Sequence, residues 1–93
     1  MAVTVHVSKH LFRFFPVLER GPIVVEATTA AEAVHALDAL APGVAGYVVD
    51  ERGALRRHVN IFVGGEMIAD RKTLSDRVPD GGTVHILQAL SGG

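Results

Sequence analysis

The residues with most to offer chemically lie in the last ten positions, VHILQALSGG, which begin as a strand and finish as a tail almost bare of side chains. Val84, Ile86 and Leu87 are strand formers, and Asp80-Gly81-Gly82 ahead of them supplies a turn. Past Leu90 the character changes to Ser91, Gly92 and Gly93. Glycine has no Cβ, so Gly92 and Gly93 can lie extended and enter a channel too narrow for other residues. The carboxylate of Gly93 is then a candidate chemical handle, with Gly92 keeping the tail thin. Taken alone, two glycines also fit a plain flexible terminus, and the rest of the chain has to decide.

No rival chemistry competes with the tail. The chain has no cysteine, which removes disulfides, thiolate metal sites, cysteine nucleophiles and an iron–sulfur ferredoxin, and fits a reducing compartment. No serine sits in a nucleophile motif, and the acidic residues are spread evenly, so intrinsic catalysis is not expected. His6, His58 and His85 would approach one another if the first, third and last strands were neighbours, and three imidazoles can bind zinc. Separate solvated histidines are the expected outcome, and no metal is predicted.

Composition sets the remaining bounds. With 93 residues, 48% hydrophobic and 20% charged, the chain is expected to form one domain, 1–93, with a flexible tail at about 89–93. Net charge is −1 and the basic residues form only pairs, Arg56-Arg57 and Arg71-Lys72, so nucleic acid is not an expected partner. The alternating start, MAVTVHVSKH, is not a signal peptide, and no stretch approaches membrane-spanning length. A cytoplasmic protein with no membrane association is expected.

The elements that must position the tail follow from periodicity. Val3, Val5 and Val7 alternate with polar residues as a half-buried strand, and residues 23–27 form a second one. Between them, Leu11, Phe12, Phe14, Phe15 and Pro16 show no clear period and fit a strand end, a wide turn or a lid over the core edge. Thr29-Ala30-Ala31-Glu32 fits a capping box, with Thr29 capping the helix and Glu32 reaching back. The helix carries an apolar stripe of Ala30, Ala33, Val34, Leu37 and Leu40 or Ala41, and Pro42-Gly43 ends it. Tyr47-Val48-Val49 could be a short strand. Val59, Ile61 and Val63 point to the core, with His58, Asn60 and Phe62 opposite. Gly64-Gly65 turns the chain into a short return strand at Met67-Ile68-Ala69, and Leu74 and Val78 would pin one helical turn.

One main helix packed on one face of a mixed sheet of four to five strands is a two-layer α+β arrangement. Its first and last strands are expected to run parallel in the middle, as in the ubiquitin-like β-grasp. The other sheet face is left uncovered. Phe62 and Leu87 on that face, with Ala89 beside them and Leu90 and Ser91 continuing the tail, are candidate partner-binding residues, since aromatic and aliphatic anchors dominate interfaces.

The stretch LRRHVNIFVGGEMI, the turn PDGGTVHIL and the ending ALSGG together resemble the small sulfur-carrier proteins of the MoaD/ThiS type. The specific matches are Val59-Asn60-Ile61, Asp80-Gly81 and Gly92-Gly93, and the first half agrees only in element order. The resemblance implies a carried substrate rather than an enzyme. An E1-like enzyme would use ATP to adenylate Gly93, a sulfur donor would convert it to a thiocarboxylate, and a downstream enzyme would accept the sulfur. No cofactor would be bound to the chain itself. The additional residues at 11–22 and 43–55, relative to the most compact carriers, leave the receiving pathway open. A protein modifier joined through Gly93 to target lysines, and an interaction module with a chemically inert tail, are the other readings.

Overall fold

The computed structural model describes residues 2–88. Its strands are β1 (Ala2–Val7), β2 (Ile23–Glu26), β3 (Val59–Val63), β4 (Glu66–Met67) and β5 (Thr83–Gln88), and its α-helices are α1 (Ala30–Leu40) and α2 (Val44–Val48). The sheet order is β2-β1-β5-β3-β4. β1 and β5 pair in parallel from Thr4↔Thr83 to Val7↔Ile86, and the other three pairings are antiparallel. The first and last strands therefore form the expected central pair.

The alternation of each strand decides what it buries. Val3, Val5, Val25, Val59, Ile61, Val84 and Ile86 point inward and are buried, against Ala30, Ala33, Val34 and Leu37 of α1. At the end of the helical stripe the choice falls on Ala41, which is buried, while Leu40 is 51% exposed. Thr29 accepts the Glu32 backbone N–H at 3.1 Å, as a helix cap should. Glu32 reaches back one residue further than a simple capping box: its Oε1 accepts both the backbone N–H and the hydroxyl of Thr28, each at 2.7 Å. The first of these bonds holds the strand-to-helix connection shut. Both favour the ionised form, so the Glu32 carboxyl is held below its ordinary pKa, led by the Thr28 hydroxyl.

Two local expectations are corrected. Residues 47–49 are not a strand, because Tyr47 and Val48 close α2, and Val49 makes only an isolated bridge to Leu55. The apolar run there is short enough to suit either structure, and burial of Val44 and Val48 on one side at four-residue spacing selects the helix. Around Leu74 and Val78 the expected helical turn is confined to residues 70–74, where the Leu74 N–H donates to the Asp70 carbonyl at 3.0 Å, and it does not extend to Val78. Leu74 instead takes a left-handed backbone, φ 54°, while its side chain is buried. The segment is organised by Asp70, whose carboxylate accepts the N–H groups of Lys72, Thr73 and Ser75 and the hydroxyls of Thr73 and Ser75. Those bonds, the Ser75 hydroxyl first, push the Asp70 carboxyl far below the usual carboxylate range.

The irregular run after β1 is a lid, as one of its three sequence readings had it. It forms two 3-10 helices, Lys9–Arg13 and Pro16–Arg20, that insert Leu11 and Leu18 into the core. Phe14 and Phe15 flank Tyr47 of α2, each with ring centroids 5.3 Å from it, one stacked and one edge-on. The lid is thus tied to α2 through Tyr47.

Candidate docking face and tail exit

The turn ahead of β5 fixes where the C-terminal strand enters the sheet. Gly81 has φ +78°, and its N–H donates to the Ala2 carbonyl at 2.7 Å. Gly82 has no space for a side chain, since a Cβ there would lie 2.8 Å from the Pro79 carbonyl oxygen. Its own carbonyl accepts the Thr4 N–H at 3.0 Å, and Asp80 Oδ1 accepts the Ala2 N–H at 3.1 Å. The Asp-Gly-Gly sequence thereby sets the register of β5 against β1 from its first residue.

β5 lies between two strands, paired in parallel with β1 from Thr4↔Thr83 to Val7↔Ile86 and antiparallel with β3 from Val63↔Val84 to Val59↔Gln88. It is described to Gln88. The candidate residues Ala89, Leu90, Ser91, Gly92 and Gly93 lie outside the described residues.

The residues of the outer sheet face follow from the register. His6, His85, Phe62 and Met67 form one row across β1, β5, β3 and β4. The His6 and His85 rings stack in parallel, centroids 4.3 Å apart and planes within 4°. Leu87, 43% exposed, sits opposite Asn60 on the next row, so Phe62 and Leu87 are diagonal rather than direct neighbours. The residue directly across from Phe62 is Met67, 53% exposed and absent from the sequence-derived candidates. It was reachable by counting: a two-residue Gly64-Gly65 turn places Glu66 opposite Val63 and Met67 opposite Phe62. The apolar residues of this face are therefore Phe62 with Met67, continued diagonally by Leu87, and, across the sheet on β2, Val24, 64% exposed opposite Thr4.

His58 does not complete a trio with the stacked pair. It lies in the turn before β3, and no group of three metal-binding side chains gathers among the described residues. Arg71 locks that turn to the start of β3. Its guanidinium donates to Asn60 Oδ1 at 3.0 Å and to the carbonyls of Arg56 and Val59 at 2.9 and 3.0 Å.

A doubly paired C-terminal strand beside β1, one covering helix and an uncovered face together define the architecture. The fold is the ubiquitin-like β-grasp. The structure is similar to a chain of the Amycolatopsis orientalis BexX/CysO complex, with TM-score 0.83 and 26% identity over 98% of this chain and 99% of that one. It is similar to Mycobacterium tuberculosis CysO, TM-score 0.81 and 27% identity over 95% and 99% of the two chains. SAMP1 from Haloferax volcanii shares the fold end to end at TM-score 0.80 and 21% identity, covering 100% of both chains. These neighbours are ubiquitin-like proteins of the MoaD/ThiS sulfur-carrier type, which agrees with the resemblance carried by the second half of the sequence. No protein-family model and no curated protein sequence matches the chain. No helix among the described residues is long and apolar enough to cross a membrane.

Proposed function

We propose that this β-grasp protein is a sulfur carrier whose working group is the carboxylate of Gly93. The observation that carries the reading is the placement of β5: the strand ahead of residues 89–93 lies between β1, paired to Ile86, and β3, paired to Gln88, next to an outer face bearing Phe62, Met67 and Leu87. Five further residues reach at most about 18 Å when extended, enough to enter a partner's active site while the domain stays outside. Gly92 and Gly93 suit a narrow channel for the steric reason already given.

The chemistry needs a partner because a carboxylate is a poor electrophile. An E1-like enzyme would let a Gly93 carboxylate oxygen attack the α-phosphorus of ATP, releasing pyrophosphate and leaving an acyl-adenylate. A sulfur nucleophile at the sulfide oxidation level then attacks the acyl carbon, and AMP departs with the bonding electron pair. The product is a thiocarboxylate that a downstream biosynthetic enzyme consumes. The carrier contributes the accessible terminus and the docking face, and the partner contributes electrostatic stabilisation of the transition states.

Intact-mass measurement tests this after incubation with the cognate E1-like enzyme, ATP and a sulfur source. The expected product is heavier by the difference between one sulfur and one oxygen, with the change mapped to the C-terminal peptide. Removing Gly93 should abolish it without unfolding the domain, and enlarging Gly92 should slow it. Equal modification of the shortened protein would overturn the reading. Lysine-linked adducts in place of the mass change would identify a protein modifier instead.

A further inference from the structure

We propose that the stacked His6–His85 pair is a proton-sensitive latch on the outer sheet face, which opens in acid and weakens docking through that face. The docking half rests on the carrier reading, whereas the opening is a property of the chain alone. The two histidines lie near opposite ends of the sequence, and parallel pairing of β1 with β5 sets them side by side. Neighbouring strands run roughly 4.8 Å apart and paired side chains leave the same face, which is close to the spacing of two stacked rings. Here the ring centroids are 4.3 Å apart, the planes lie within 4°, and both residues are half-buried.

Charge decides how many protons the stack tolerates. One proton places a single charge in it; two protons set like charges face to face across 4.3 Å. The row that holds the pair supplies no carboxylate, since it continues with Phe62 and Met67. Along β1 and β5 the same face carries Thr4, Ser8, Thr83 and Leu87, and on β3 it carries Asn60, whose Oδ1 is taken by Arg71. Beside the lid, His6 borders a cavity of about 120 Å³ whose other walls are Val7, Phe12, Leu18, Gly21 and Pro22. The charged residues of the edge strands belong to other register positions, Glu26 opposite Ala2 and Glu66 opposite Val63. Those of the lid, Lys9, Arg13, Glu19 and Arg20, are exposed, and His10 is tied to the Ser8 hydroxyl at 3.1 Å.

The strands cannot part without breaking the central pairing of the sheet, so the doubly charged pair relieves its repulsion by rotating the side chains apart. His85 lies directly opposite Phe62, with the Cβ separation of roughly 4.5–5.5 Å usual for such neighbours. Turning the His85 ring therefore alters the flank of the apolar residues that the carrier reading uses for docking. A face that docks only while the stack is closed binds with an affinity reduced by the closed fraction.

NMR of the full chain from about pH 8 to about pH 5, the interval in which imidazole changes charge, tests the latch. Glu32, Asp50 and Asp70 are held below their ordinary values and stay ionised over that interval. The NOE between the His6 and His85 rings should be present at the alkaline end and vanish at the acid end. The Phe62 ring signals should shift with it, while backbone NOEs between β1 and β5 persist and show an intact fold. His6→Gln retains the other four histidines but removes one charge from the stack, so its Phe62 signals should move much less. A ring–ring NOE that survives at the acid end, or an equal Phe62 shift in His6→Gln, would overturn the latch. Association with the cognate E1-like enzyme is then compared between wild type and His6→Gln, the ratio cancelling the enzyme's own titration. In acid the wild type should lose affinity relative to the variant, about tenfold when nine-tenths of the stacks are open. A constant ratio while the stack opens would overturn its link to docking. No binding at any pH, together with an unmodified Gly93, would overturn the carrier reading, and the NOE would still decide the latch.

Discussion

Substituting Leu74 should reverse the usual order of glycine and alanine. Leu74 is 1% exposed and sits at φ 54°, and its carbonyl accepts the Ala31 N–H at the start of α1 at 2.9 Å. Truncating a buried leucine to alanine removes its burial and leaves a cavity, a loss of about 2–5 kcal/mol. Leu74→Ala keeps the Cβ, so it also keeps the left-handed backbone penalty of about 1–2 kcal/mol. Leu74→Gly loses the same packing and releases that penalty, against a glycine entropy cost of roughly 0.5–1 kcal/mol. The two backbone effects nearly offset or favour glycine, whereas at an ordinary helical site glycine is worse than alanine by about 1 kcal/mol. Burial remains the larger effect, so both variants should be less stable than the wild type. Urea unfolding followed by far-UV circular dichroism measures the difference, with both variants fitted to a common slope. If Leu74→Gly is the less stable of the two by about 1 kcal/mol or more, the left-handed conformation is not the constraint described.

Three further outcomes follow from the structure. Phe62→Asp and Leu87→Asp should each weaken association with the activating enzyme, because charge would enter a desolvated interface, and leave the melting temperature nearly unchanged; unchanged binding in both would make this face ordinary surface. Thr29→Ala should cost about 1 kcal/mol in urea unfolding through loss of the α1 cap, and an undiminished midpoint would show that the Thr28–Glu32 bonds suffice. Stability should be steady above the unfolded carboxylate pKa values and decline as pH falls through them towards the folded values, because Asp70, Glu32 and Asp50 are all depressed by hydrogen bonds in the folded state. Asp70→Asn should flatten that decline most; thermal melts that stay constant into strong acid would contradict it.

What could be read from the sequence was whatever periodicity and turn chemistry control locally. The alternating valines of β1, the Thr29 cap, the Gly64-Gly65 hairpin and the Asp80-Gly81-Gly82 turn each specify their structure within a few residues, and α+β with a parallel central pair followed from their order. The tail chemistry proposed for Gly92 and Gly93 rests on local composition and on the resemblance to the sulfur carriers. Tertiary contact decided the rest. Residues 47–49 became the end of a helix because Val44 and Val48 had a core to enter. Leu74 was forced into a left-handed turn because the Asp70 carboxylate gathers the surrounding N–H groups and the side chain packs inward. Met67 joined Phe62, and His6 stacked on His85, through strand register. Register depends on which strands become neighbours, so it cannot be read from the alternation within any one of them.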